Sequence, residues 1–307
     1  VSAYGVAAAV EANGMRLASF RRKTGGRPGE ARVAAVTVQG LVDLTEGAPE
    51  LPPSLAAILA AGPGGLKRIA AAIEAAQAWI DPAEVDLLAP IPRPGKVLGL
   101  GMNYLAHVKE MGREVPTAQT WFAKQSTAVG GPFDPVDLPR VSVQLDYEVE
   151  LVVVIGRSCR HVAKGSALDY VAGYCVGCDY SVRDWQRAAV TMMMGKGFDT
   201  HAPFGPHLVT ADEIADPQNI RLRAFVNGDL RQDGSTSDMV FSIAEQIAHV
   251  SAAMTLEPGD VLFTGTPPGV GVARNPPQFL KPGDRVRLEA DGIGAIEQII
   301  RSERGSD

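Results

Sequence analysis

The stretch Asp146-Tyr147-Glu148-Val149-Glu150-Leu151-Val152-Val153-Val154-Ile155 decides how this chain is read. Its β-branched run favours a strand, predicted here over 147–155. Side chains alternate along a strand, so Glu148 and Glu150 share one face. The aliphatic residues that follow have no polar face, so the strand enters a core with two carboxylates at its mouth. Two such carboxylates repel one another and lose hydration. A bound cation removes both costs, whereas a strand end still in water leaves both glutamates merely solvated. The residues alone leave both readings open.

Outward from this segment the chain is strand-rich and punctuated by turns. Strands are predicted at 96–100, 172–178, 221–226, 260–264 and 285–290. Asn227-Gly228 and Asp291-Gly292 are hairpin-turn signals. Ser242-Ile243-Ala244-Glu245 is a capping box, opening a helix with Ile243, Ile247, Val250 and Met254 on one face. Toward the N-terminus, short strands are predicted at 16–20, 32–38 and 40–44. Alanine-rich helices are predicted at 55–61 and 66–80, the latter with Ile69, Ile73, Ala76 and Ile80 at helical spacing. Pro90-Ile91-Pro92-Arg93-Pro94 then interrupts regular structure. The expected fold is α+β and β-rich, with a small N-terminal α/β module over 1–90 and a catalytic domain over 91–303.

Composition excludes several classes. The 307 residues are 46% hydrophobic and 21% charged, enough for a large core and against disorder. A net charge of −6 gives no counterion-release affinity for phosphate backbones, so nucleic acid is not expected as a partner. No stretch approaches the roughly 18–20 apolar residues of a spanning helix, so no membrane association is expected. No secretory leader is visible, and three cysteines are no disulfide framework, so a cytoplasmic location is expected.

Some motifs fail on inspection. Gly99-Leu100-Gly101 lacks the third glycine of a dinucleotide fingerprint, since Tyr104 stands in its place. Gly195-Lys196-Gly197 lacks the remaining residues of a phosphate loop. Cys175 and Cys178 lie three apart on a predicted strand, so they face opposite sides and read as packing residues. Met192-Met193-Met194 reads as core filling. More informative is Asp179, a third carboxylate following a buried strand. Three oxygen ligands without His or Cys would select Mg²⁺, Mn²⁺ or Ca²⁺ over zinc. His107 and Glu110 face each other if their segment is helical, allowing the carboxylate to orient the imidazole; a plain surface pair has the same spacing.

These segments, in order, resemble the fumarylacetoacetate hydrolase superfamily over nearly all of residues 91–300. They are the run from Lys96 to Tyr104 with His107, Asp146 to Glu150, Asp179 to Gln186, Gly195 to Thr200, Val226 to Gly228 and Leu256 to Gly271. The resemblance implies a mixed β-roll or sandwich catalytic domain, usually dimeric. It also implies metal ligation by Glu148, Glu150 and Asp179, settling the ambiguity above in favour of a cation, Mg²⁺ or Mn²⁺ with Ca²⁺ as an alternative. Arg183, Gln186 and Thr266 are then expected around the substrate, Thr266 gripping its carboxylate through hydroxyl and backbone N–H. Lys196 is expected beside a developing enolate, and the His107–Glu110 dyad on a lid that activates water or carries protons. Cys178, Met102, His201 and His207 depart from residues common in the family, without removing a ligand.

The activity this implies is metal-dependent hydrolysis of a C–C bond in an acylpyruvate-like 2,4-dioxo acid, through a metal-bound pyruvate enolate. Oxaloacetate decarboxylation and isomerisation of a 2-hydroxyhepta-2,4-diene-1,7-dioate are the alternatives. A binding or scaffold protein that keeps the fold without turnover is the non-enzymatic one. The expected partners are a small keto acid and a second copy of the chain.

Overall fold

A computed structural model describes residues 14–23 and 29–303. Of the expected 1–90 module, residues 1–13 and 24–28 therefore lie outside the described residues. That part of the chain supplies β1 (Arg16–Arg22), β2 (Arg32–Thr37), β3 (Gly40–Asp43), α1 (Leu44–Gly47), α2 (Leu55–Ala60), α3 (Pro63–Glu74) and β4 (Val85–Leu88). After the prolines come β5 (Val97–Gly101), α4 (Leu105–Glu110), β6 (Thr120–Lys124), β7 (Val129–Gly130), β8 (Val136–Leu138) and β9 (Leu145–Asp146). The central strands follow, β10 (Val149–Ile155), β11 (Val171–Cys178) and β12 (Ser181–Val182), then helices α5 (Arg183–Arg187) and α6 (Met193–Lys196). The remainder is β13 (Ala202–Thr210), β14 (Arg221–Val226), β15 (Asp229–Ser235), α7 (Ile243–Ala253), β16 (Val261–Phe263), β17 (Arg285–Ala290) and β18 (Gly294–Ser302).

The β-rich α+β expectation holds. An 11-stranded sheet runs β3-β2-β1-β13-β11-β10-β16-β5-β6, with β4 on β1 and β7 on β13, and a 5-stranded sheet runs β15-β14-β17-β18-β8. The first sheet continues across the proline-rich segment, because β1 pairs with β13 through Arg16↔Val209 and Leu17↔Leu208. One buried cluster accordingly joins Leu17, Ile58 and Ile69 to Val152, Phe204 and Phe263.

Local signals account for several elements. Asn227 and Gly228 both take positive φ, 53° and 88°, in the turn between β14 and β15. The Ser242–Glu245 capping box forms at the start of α7, which buries Ile243, Ile247 and Val250. Met254 departs from that face, ending the helix 39% exposed. Cys175 and Cys178 sit in different core clusters on opposite faces of β11, as strand alternation requires.

Two expectations need correction. The predicted helix 66–80 ends at Glu74. Ile80 instead exchanges two backbone hydrogen bonds with Leu41, of 3.0 and 2.8 Å, so a tertiary bridge outcompetes local helix propensity. The methionine triplet is not core filling: Met193 and Met194 are 40% and 53% exposed, and Met192 lines the main cavity.

His201 and His207 are buried, and burial lowers each imidazole pKa to about 4. Between the ordinary value of 6.5 and that value, the unfolded chain binds protons that the folded chain refuses, so stability is full above the window and falls as pH drops through it. Comparing urea unfolding at pH 7 and pH 5, His207→Gln is expected to lose roughly 2 kcal/mol less than the parent. Equal losses would place the titration elsewhere.

Candidate metal centre and substrate cavity

Antiparallel pairing sets Val149 opposite Cys178 and Glu150 opposite Gly177, so the start of β10 lies beside the end of β11. The Asp179 N–H donates to the Glu148 carbonyl at 2.9 Å. This register gathers Glu148, Glu150 and Asp179, with one oxygen from each within 4.8 Å of the others, all three residues buried. The strand opens at Val149 rather than at the predicted Tyr147, so Glu148 projects from the residue just before it.

Cations surround two of the three carboxylates. Lys196 Nζ lies 2.7 Å from Glu148 Oε2 and 2.5 Å from Asp179 Oδ2. Lys124 Nζ lies 2.6 Å from the other Asp179 oxygen and donates to the Tyr180 carbonyl at 3.2 Å. Arg183 reaches Glu148 Oε1 at 2.7 Å and Asp146 Oδ2 at 2.8 Å. Burial favours a neutral Glu148, yet Lys196 and Arg183 more than offset this and hold its carboxyl well below the usual range. Burial likewise opposes the Lys196 charge, but Asp179 and Glu148 outweigh it and raise the ammonium's pKa. Lys124 is the reverse case, lowered because burial outweighs its attraction to Asp179.

Glu150 is different. Its Oε2 accepts the Gly265 N–H at 2.7 Å, and among the described residues no side-chain cation pairs with it. Burial first, then Asp179 and Glu148, push its carboxyl well above the usual range. A buried carboxylate beside two others, short of positive charge, is what a bound cation would relieve. The donors are all oxygen, which suits a hard divalent ion. The residues present therefore fit a divalent metal.

Local packing explains the position of Lys196. A Cβ at Gly195 would fall 2.2 Å from the Gln186 nitrogen, so α6 lies directly against the backbone of α5, as only glycine permits. The Lys196 ammonium also stands 4.8 Å from the centre of the Phe122 ring, a cation–π contact.

His107 and Glu110 do lie on a helix and do meet. The ring Nδ1 is 3.0 Å from Glu110 Oε2, and Glu110 Oε1 accepts the Gly269 N–H at 2.7 Å. With Glu110 ionised, Nδ1 carries the proton and Nε2 presents its lone pair. His107, Lys196, the three carboxylates, Arg183, Gln186 and Thr266 all line one cavity of about 560 Å³, which Met111, Arg113, Val190 and Met192 also line.

Two expected substrate contacts are already engaged within the protein. Arg183 donates from Nε to Asp146 and from Nη1 to the Gln186 carbonyl oxygen, the latter at 2.9 Å, and its Nη2 is ion-paired with Glu148. The Thr266 hydroxyl donates to the Val149 carbonyl at 2.9 Å, and among the described residues no hydrogen bond is made by its backbone N–H. Sequence reasoning missed Lys124, Asp146 and Gln232. Asp146 opens the decisive stretch and is fully buried, accepting from Arg183, Gly271 and Val272. Lys124 shares the buried side of β6 with Phe122, two residues away, so alternation could have flagged it. Gln232 carries no local signal.

Known proteins share this arrangement of chain. Residues 96–301 match the family described as fumarylacetoacetate (FAA) hydrolase C-terminal. The mitochondrial oxaloacetate tautomerase FAHD2A of Homo sapiens is 44% identical over 259 residues, covering 84% of this chain and 82% of that protein. The fumarylacetoacetate hydrolase of Exiguobacterium antarcticum superposes with a TM-score of 0.81 at 33% identity, covering 94% of this chain and 100% of that one. The maleylpyruvate hydrolase of Sphingobium sp. SYK-6, solved with manganese(II) and pyruvate, gives 0.77 at 33% identity with the same coverage. With the fold, the acidic triad and the sequence in agreement, the chain belongs to the fumarylacetoacetate hydrolase superfamily of enzymes.

Proposed function

We propose that this enzyme moves a proton at C3 of a 2-oxo dicarboxylic acid of the oxaloacetate class, interconverting its keto and enol forms. The observation that carries the reading is a carboxylate-held imidazole, His107 on Glu110, in the same cavity as a buried ammonium, Lys196, and three clustered carboxylates. The 44% identity to an oxaloacetate tautomerase supports it and favours the oxaloacetate alternative over acylpyruvate hydrolysis.

A divalent ion, Mg²⁺ or Mn²⁺, held by Glu148, Glu150 and Asp179 would polarise the 2-oxo group and acidify the C3 hydrogens. The protein's own groups supply the rest. The Thr266 N–H binds a substrate carboxylate. Lys196 sets a fixed positive charge beside the oxygen on which enolate charge develops. His107 Nε2 takes the C3 proton, and Glu110 steadies the imidazolium until that proton is delivered to the enolate oxygen, giving the enol; the reverse transfer restores the keto form. Arg183 acts at one remove, holding Glu148 and Gln186 in place.

Hydrolysis of an acylpyruvate-like 2,4-dioxo acid is the second reading, favoured by the size of the cavity. Its 560 Å³ falls in the range of about 300–1,000 Å³ that holds drug-sized ligands, more than a four-carbon acid fills and enough to take an acyl tail as well. In that reaction His107 would activate water instead. Oxaloacetate decarboxylation would reach the same pyruvate enolate as hydrolysis by losing CO₂, and dienedioate isomerisation would use the same centre to stabilise a dienolate.

The test follows enol-oxaloacetate absorbance and pyruvate release from oxaloacetate and from acylpyruvates, with Mg²⁺ or Mn²⁺ and with chelator. Chelator-sensitive enol loss without pyruvate supports the tautomerase. Pyruvate from acylpyruvates promotes the hydrolase, and inertness toward every substrate sinks both. His107→Ala is expected to slow tautomerisation or hydrolysis by about 10²-fold while sparing decarboxylation, which needs neither base nor water. Equal losses in all three would remove His107 as the proton carrier.

Among the described residues no helix is long and apolar enough to cross a membrane. A cytoplasmic homodimer completes the proposal. Free, buried Cys159, Cys175 and Cys178 suit a reducing compartment, and exposed Val141, Val143 and Val190 offer apolar surface for a second copy.

A further inference from the structure

Gln232 lies on β15, in the 5-stranded sheet, 1% exposed and remote in sequence from every expected site residue. Its Oε1 accepts the Val149 N–H at 2.9 Å. Its Nε2 donates to Thr266 Oγ1 at 2.8 Å and to the Pro267 carbonyl at 2.7 Å. The Thr266 hydroxyl closes the ring by donating to the Val149 carbonyl. Val149 is the residue between Glu148 and Glu150. Its backbone needs this help, because β16 pairs with β10 only from Val152 to Val154 and leaves the mouth of the strand without a ladder partner on that side.

The strand that carries Gln232 is built to aim it. Ala224 pairs with Gln232 but Phe225 pairs with Leu230, so Arg231 is an extra, unpaired residue, a β-bulge immediately before Gln232. Bulges redirect the neighbouring side chain. The turn over the site is fitted to this bulge. Gly269 has φ of +109°, and a Cβ there would fall 2.0 Å from the Arg231 carbonyl oxygen. Arg274 also donates to that oxygen at 3.2 Å. The same turn supplies the Gly269 N–H that holds Glu110.

We infer that Gln232 is a positioning residue, whose amide locks the strand mouth to the 266–269 turn so that the paired glutamates, the Thr266 N–H and the Glu110 anchor converge on one cavity. Its oxygen replaces the missing ladder acceptor at Val149, fixing the phase in which Glu148 and Glu150 point inward. Its nitrogen commits the Thr266 hydroxyl to Val149, leaving the backbone N–H for the ligand. The inference rests on the metal and 2-oxo acid reading above.

The experiment measures Mn²⁺ affinity by electron paramagnetic resonance without substrate, and KM and kcat on a 2-oxo acid that the parent turns over. Gln232→Met, which keeps the volume and loses every bond, is expected to weaken Mn²⁺ binding and raise KM by about tenfold each, with the circular dichroism of the parent. Gln232→Glu keeps the acceptor for Val149 but sets a carboxylate against the Pro267 carbonyl and draws the Thr266 hydroxyl away. In that variant KM is expected to rise about tenfold while Mn²⁺ affinity stays within about threefold. A purely structural role would lower the unfolding midpoint and leave both constants alone. Values within about twofold of the parent in folded Gln232→Met overturn the inference, as does an unchanged KM in Gln232→Glu should the Met variant not fold. A parent that binds no Mn²⁺ sinks the metal reading instead, and the KM arm then judges Gln232 alone.

Discussion

Glu148→Ala is expected to fold and to lose metal-dependent turnover by more than about 100-fold, since the loss of a direct ligand should exceed the 10–100-fold typical of outer-sphere partners. The carboxylate removed is buried and serves as a metal ligand in the reading above. It also accepts from Lys196 at 2.7 Å and is ion-paired with Arg183 at 2.7 Å. Removing one partner of a buried ion pair costs about 3–5 kcal/mol when the other charge is stranded. Here the stranding is partial, because Asp146 still holds Arg183 and Asp179 still holds Lys196. Stability should therefore fall by less than that range while activity collapses. Chemical unfolding and chelator-controlled assays on one preparation separate the two effects. Full activity in the folded variant would remove Glu148 from the metal centre.

Lys196→Met should separate catalysis from metal binding. The ammonium is fully buried and raised in pKa, so it stays charged throughout the neutral range. Loss of a preorganised charge beside a developing oxyanion costs about 10²–10³-fold in kcat. Mn²⁺ binding is expected to hold or tighten, because the ammonium contacts the same Glu148 and Asp179 carboxylates that the metal reading assigns to the ion. Titration with Mn²⁺ and single-turnover kinetics read the two quantities independently. A matched fall in both would make Lys196 a structural counterion rather than a catalytic group.

The same residues mark where local pattern stops. Alternation in the stretch from Asp146 to Ile155 placed a strand and put two glutamates on one side of it, and the buried run of β11 ended at a third carboxylate. Helical spacing paired His107 with Glu110, and turn chemistry found the β14–β15 hairpin. These are contacts between near neighbours, which backbone geometry decides. Resemblance added the family and, with it, the expected ligand set.

Thr266 shows the limit of that legibility. It lines the cavity, but its hydroxyl proved committed to Val149 and Gln232, which no local pattern records. The methionine triplet shows another limit, since burial depends on what packs above a segment rather than on its own hydrophobicity.

By itself the sequence determined the β-rich fold class, the central strand and the paired glutamates, because each is written in the spacing of adjacent residues; for His107 and Glu110 that spacing left a plain surface pair equally open. Only the tertiary structure decided that the glutamates are buried rather than solvated. It also decided that the β10–β11 register delivers Asp179 to them, and that Lys124, Asp146 and Gln232 complete the surroundings. The physical reason is that solvation and charge pairing are set by neighbours in space. Gln232 stands 83 residues from Val149 along the chain, and no local spacing records that their amides share a hydrogen bond.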